Sequence, residues 1–280
     1  MKLFRNLTLA ATVAMASFGS ANAAWTFNTT TNAADLILGI RATAGQGSTT
    51  NLFYNLGSST TFRDGGGRGL VGNISTDLIA TFGAGWATRT DLFFGVIGNR
   101  TNVSGADPDG AGPMDAGRVL YLSRNASAPG EAALYPQGSN NSNSTMATSY
   151  DGLKLGLATL SETAQGNNVA SLDISNTSTA DGNAILNSFT AKTTSGAGSD
   201  RAFNGVASAD FLGSVGNSVT TNYIDIQRIG VQGNSQPTSY VGTVSFDNLG
   251  NVSIVPEPSS LLLIGAAGVA SLLRRRREQA

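Results

Sequence analysis

The stretch "SYVGTVSFDNLGNVSIV", from Ser239 to Val255, constrains the fold more than any other part of this chain. Tyr240, Gly242, Val244 and Phe246 alternate with Val241, Thr243 and Ser245, which is the period-two pattern of a strand with two unlike faces. "DNLGN" supplies turn residues and "VSIV" reads as a returning strand, so a hairpin is expected here. Similar β-rich runs recur upstream. "ADLILGIRAT" (Ala34 to Thr43) and "TNLFYNLG" (Thr50 to Gly57) are joined by the turn-like "AGQGST". "TDLFFGVIGN" (Thr90 to Asn99), "GRVLYLSRN" (Gly117 to Asn125) and "NYIDIQRIGV" (Asn222 to Val231) follow the same plan. One helix is expected at Ser75 to Phe82, capped by Ser75 or Thr76 and ended by Gly83, with Leu78, Ile79 and Phe82 toward the core. "DGLKLGLATLSETA" (Asp151 to Ala164) fits either a helix or a strand. Short strands between Gly- and Asn-rich turns predict an all-β domain, a single jelly-roll-like β-sandwich with at most one or two short helices. A β-solenoid would need a fixed repeat, and the spacing shows no steady period.

Charge is scarce and unevenly placed. Between Ala24 and Ile254 there are 11 Lys and Arg against 16 Asp and Glu, a net charge of −5 on the body of the chain. Phosphate binding needs clustered Lys and Arg, so a nucleic-acid partner is not expected. The chain has no cysteine, hence no disulfide and no thiolate chemistry. It has no histidine, which removes a Ser-His-Asp triad, a His-ligated zinc and an imidazole base near neutral pH. No catalytic residue, cofactor or metal is expected, and an enzyme built on this chain would have to rely on carboxylates or a Ser-Lys pair.

The two ends carry addresses. Residues 1–23 read as a signal peptide: Lys2 and Arg5 form a basic n-region, Leu7 to Phe18 an apolar h-region, and Ala21-Asn22-Ala23 a small-x-small cleavage site. Cleavage is expected between Ala23 and Ala24. Residues 24–254 then form the β-rich extracytoplasmic domain, and residues 255–280 a distinct tail. In that tail the apolar run Leu261 to Leu273 has 13 residues, about 20 Å as a helix, and four arginines follow it at 274–277. A full span needs about 20 apolar residues, but Arg274, Arg275, Arg276 and Arg277 can snorkel and Pro258 suits the first position of a helix. An Arg cluster beside an apolar segment stays cytoplasmic, which places everything before Leu261 outside the cytoplasm. The signal peptide demands the same orientation.

Val255-Pro256-Glu257-Pro258, an apolar segment and a terminal Arg cluster, in that order, resemble the PEP-CTERM sorting signal of Gram-negative bacteria. The resemblance implies recognition of Pro256, Glu257 and Pro258 by a membrane-embedded exosortase, retention by Arg274 to Arg277, and removal of the tail near the Pro-Glu-Pro element. It also implies a mature protein at the cell surface or in the extracellular matrix, in a setting of exopolysaccharide and biofilm. Glu278-Gln279-Ala280 follow the arginines as a small departure from the pattern. "DLILGIRATAG" followed by "NLFYNLG", about 25 residues, resembles the opening of some PEP-CTERM ectodomains.

Other features of the middle have bland readings beside functional ones. Asp107, Asp109 and Asp115 stand among Gly and Pro in "TNVSGADPDGAGPMDAG" (Thr101 to Gly117); such oxygen-rich loops can bind calcium, but EF-hand spacing is absent and the stretch reads first as an acidic solvated loop. "QGSNNSNSTMATSY" (Gln137 to Tyr150) reads as a polar surface loop or linker, and "RDGGGRG" (Arg63 to Gly69) as a turn. Asn-x-Ser/Thr triplets at Asn28, Asn73, Asn99, Asn102, Asn125, Asn140, Asn143, Asn176 and Asn251 arise readily by chance in a chain this rich in those residues, and are also potential glycan acceptors. Trp25, Trp86, Tyr54, Tyr121 and Tyr223 suit a hydrophobic core or a sugar-stacking groove. Three functions follow: first a non-enzymatic exported structural or interaction protein, second a carbohydrate-binding module for matrix polysaccharide, third a carboxylate-dependent polysaccharide hydrolase.

Overall fold

The computed structural model describes residues 25, 27, 34–63, 69–100, 119–135, 150–151, 153–154, 156–160, 162–163, 168–174, 189–190, 212–215, 221–230 and 237–255. Among them run strands β1 (Asp35–Ala42), β2 (Thr50–Ser58), β3 (Gly69–Asn73), β4 (Leu92–Arg100) and β5 (Val119–Ala126). Strands β6 (Val169–Asp173), β7 (Gly213–Ser214), β8 (Thr221–Gly230), β9 (Ser239–Asp247) and β10 (Asn251–Val255) complete the set. Two helices, α1 (Ser59–Arg63) and α2 (Ser75–Phe82), and a 3-10 turn at Trp86–Thr88 lie between strands. Tyr150, Asp151, Leu153, Lys154, Gly156 and Leu157 have helical backbone, which resolves the first half of the ambiguous stretch Asp151 to Ala164 toward a helix, whereas Glu162 pairs with Ala170 as an isolated β-bridge.

The strands form one antiparallel sheet in the order β3-β10-β9-β8-β5-β4-β1-β2-β6, with β7 paired to β4. This differs from the expected sandwich, in which two separate sheets would face each other: the described strands share a single hydrogen-bonded ladder. The sheet curls instead. The Tyr54 hydroxyl on β2, near one edge, donates to the Val71 carbonyl of β3, at the other edge, over 3.1 Å. Helix α1, which follows β2 directly, lies against β9.

Curling encloses one face of the sheet, and a separate set of covering residues buries the other. Leu36, Leu38, Ile40, Leu52, Tyr54, Phe94, Val96, Tyr121, Ile224, Ile226, Val244, Phe246 and Val252 share one face with Phe62, Leu78, Phe82 and Trp86 from the helices and the 3-10 turn. Ile37, Phe53, Ile97, Leu120, Leu122 and Ile229 occupy the other, covered by Trp25, Phe27, Tyr135, Tyr150, Leu153, Leu157 and Phe189. β1 is buried along its whole length for this reason, and its sequence is a near-continuous apolar run rather than a clean alternation. The second face also explains Gly39. A Cβ there would sit 2.5 Å from the Phe189 ring, so only glycine lets that ring lie flat on β1.

Two local expectations need correction. The alternation read from Ser239 onward breaks at a bulge, because Ile226 pairs with Gly242 and its neighbour Gln227 with Tyr240. The extra residue, Val241, turns to the core, and Tyr240 moves to the face opposite Val244 and Phe246, where its hydroxyl lies 2.7 Å from that of Thr243. On α2, Leu78 and Phe82 are buried, but Ile79 is 48% exposed and joins neither core cluster. The cap is also different: Asn73 Oδ1, rather than Ser75 or Thr76, accepts from the Ser75 backbone N–H at 3.1 Å and from its hydroxyl at 2.7 Å. Gly83, with φ 90°, ends the helix as expected.

Arg89 ties the β1–β2 turn to the end of α2. Arg89 donates to the Ala44, Gln46 and Phe82 carbonyls at 2.7–2.8 Å and pairs with Asp91, Nη2 to Oδ2 at 2.6 Å. Arg89→Ala should cost about 1–2 kcal/mol, since several acceptors lose their donor at a partly solvated site. The Arg89 hydrogen bond holds the Asp91 carboxyl below its ordinary value. A depressed carboxyl stabilises the fold above its unfolded value and loses that contribution as the pH falls. The half-buried pair contributes less than about 1 kcal/mol, so denaturant titrations of the two proteins should converge modestly below about pH 5.

Candidate functional site

The last hairpin carries the tail, and its turn is built to be rigid. Asp247 Oδ1 accepts from the Leu249 and Asn251 backbone N–H groups at 3.0 and 2.8 Å, and its Oδ2 from the Asn251 side chain at 2.8 Å. Gly250 has φ 81°, and a Cβ there would meet Ser75 at 2.8 Å, so the turn needs glycine twice over. Asn73 ties the turn to β3 by donating to the Leu249 carbonyl and the Asn251 side chain. β10 then runs between β9 and β3 with Val252 and Ile254 in the core. Its last residue, Val255, pairs with Thr243, and the next residue is a proline, which cannot donate to a ladder. The strand therefore stops where the Pro-Glu-Pro element begins.

Pro256, Glu257, Pro258, Arg274, Arg275, Arg276 and Arg277 lie outside the described residues, as do the apolar segment, the signal peptide and Ala21, Ala23 and Ala24. Among the described residues no helix is long and apolar enough to cross a membrane. Asp107, Asp109 and Asp115 also lie outside, and no group of three or more metal-ligating side chains occurs among the described residues.

The aromatic set divides clearly. Trp25, Trp86, Tyr54 and Tyr121 are buried, and Tyr223 is half-buried. Four of the five are thus core residues; Trp86, for example, stands edge-on to Phe246 at 6.0 Å. Asn99 is buried and bonds to Asp151, which removes it as a glycan acceptor in the folded chain.

Sequence reasoning missed a polar patch on the second face, between β5, β8, β9 and the segment after β5. Asp225 is fully buried and accepts from the Gly130 and Ala132 backbone N–H groups at 2.9 and 2.8 Å, and from the Thr243 hydroxyl. Beside it, Gln227 accepts from the Tyr135 N–H and donates to the Ala133 carbonyl. Arg124 lies over the Tyr135 ring at 4.8 Å. These groups fasten residues 130–135 across the sheet. The alternation of "YIDIQ" marked Asp225 and Gln227 as sharing a face, but nothing local named their partners. At the far end of β1, Asp35 accepts from Asn55 at 2.8 Å, and the Tyr150 hydroxyl donates to the Asp35 carbonyl at 3.3 Å. Burial, reinforced by the charges of Asp35 and Asp151, pushes the Tyr150 hydroxyl well above its ordinary range, so it stays a neutral donor.

No curated protein and no solved structure matches the chain. Residues 255–277 match the family model described as the PEP-CTERM protein-sorting motif, which begins on the residue that ends β10. The chain therefore carries a PEP-CTERM protein-sorting motif, the mark of an exported protein that is made as a membrane-anchored precursor and addressed to an exosortase.

Proposed function

We propose that this chain is a non-enzymatic surface or extracellular-matrix protein whose β domain plays a structural or adhesive part among exopolysaccharide, delivered by its tail. The supporting observation is the junction at Val255. Every described strand ends at or before Val255, so removing the residues after it would take no described strand from the domain. In this reading the signal peptide is cut between Ala23 and Ala24. Leu261 to Leu273 enters the membrane, Arg274 to Arg277 hold it there, and the exosortase cuts near Pro256-Glu257-Pro258. The lack of histidine and cysteine, together with buried aspartates engaged in hydrogen bonds to the fold, supports a role without catalysis. Carbohydrate binding is the second reading. With four of five candidate aromatics in the core, it would rest on polar groups of the surface rather than on a stacking platform.

Replacing Pro256, Glu257 and Pro258 together with alanine tests the address. The substituted chain should accumulate uncut in the membrane fraction of its native cells, while the unsubstituted chain is released from it. Equal processing of both would exclude Pro-Glu-Pro as the recognised element.

A further inference from the structure

The strand that carries the tail ends short of its neighbours. Val255 pairs with Thr243, yet β9 begins at Ser239, and Gln227 and Arg228 of β8 pair with that projection. Allowing for the bulge at Val241, the projecting end reaches about 10–13 Å beyond the row of Val255, in the direction the tail leaves. Five residues, 256–260, separate Val255 from the apolar run. They span at most about 17 Å fully extended, and about 11 Å if Pro258 opens a helix. The apolar run is itself about 10 Å shorter than a bilayer's hydrocarbon core, a mismatch that draws flanking residues toward the interface. The projection thus takes up most or all of the connecting length.

We infer that the β8–β9 end of the sheet rests in the lipid headgroup layer while the precursor is held by its tail. This rests on the membrane-anchored reading of that tail. The residues at this end suit the place. Pro237 is exposed and Ser239 is half-buried, so this edge is uncharged and open to contact. The opposite end of the same strand, with the exposed Leu249, stands about 27 Å or more away and stays in water. Bilayer contact would also fix the domain's orientation over the sorting motif while that motif awaits its enzyme.

The absence of cysteine makes the test clean, because one introduced thiol is a unique label. Full-length precursors bearing Ser239→Cys or Leu249→Cys are labelled with an environment-sensitive fluorophore. They are reconstituted into phosphatidylethanolamine–phosphatidylglycerol vesicles containing headgroup-nitroxide lipid, then floated. The label at position 239 should shift to the blue and lose most of its emission to the nitroxide, while the label at 249 does neither. A Gly-Ser linker of about twenty residues between Val255 and Pro256, with an r.m.s. span of about 25 Å, should abolish the effect at 239 without affecting flotation. Floating protein with equal, water-like emission at both positions overturns the inference and leaves the anchor intact. Protein that does not float overturns the anchor and the inference with it.

Discussion

Phe246→Ala will destabilise the domain by about 3–5 kcal/mol, the range for emptying a fully buried aromatic site. Phe246 has no exposed surface, its ring lies 5.3 Å from that of Phe94, and Trp86 stands nearly perpendicular to it at 6.0 Å. These three rings join β9, β4 and the 3-10 turn, elements distant in sequence, so the loss should be global and should appear in denaturant unfolding as a lower midpoint with an unchanged slope. Phe246→Leu keeps most of the volume and should cost about 1–2 kcal/mol. A shift below about 1 kcal/mol for the alanine variant would mean that this face of the sheet is not closely packed.

Asp225→Ala should cost about 2–4 kcal/mol, because it strands two backbone N–H groups and a hydroxyl in a buried setting. The damage should begin locally. Residues 130–135 cross β8 through Asp225 and Gln227, so limited proteolysis should cut near Gly130 well before the sheet yields. Asp225→Asn keeps the shape and one acceptor oxygen, and should fall between the alanine variant and the unsubstituted chain. Unchanged proteolysis in both variants would show that the segment is held by its aromatic contacts instead.

What could be read from the sequence was local. The hairpin at Ser239–Val255, the strand pair around "AGQGST" and the helix at Ser75–Phe82 are each specified by residues a few positions apart, and all are present. Three short strands were missed. β3 begins in the Gly-rich stretch read as a turn, while β6 and β7 are five and two residues long, too short for an alternating pattern to stand out. Long-range arrangement left no mark of its own. Single sheet and sandwich demand the same alternating runs, and the difference lies in which strands pair, as β3 with β10. The cover on the second face comes from residues such as Trp25, Tyr135, Tyr150 and Phe189, which have no shared periodicity. Two residues opposite one, as at the Tyr240 bulge, become visible when the partner strand is in place. The sorting tail was legible for the opposite reason: its three parts are contiguous, and their order carries the meaning.

In this reading the tail is a processed address joined to a domain whose described strands end at Val255. The most direct measurement is the intact mass of the mature protein recovered from its native cells. The account predicts a chain beginning at Ala24 and ending near Pro256-Glu257-Pro258, with its β domain whole. A mass that extends to Ala280 would contradict it and make the tail a permanent anchor.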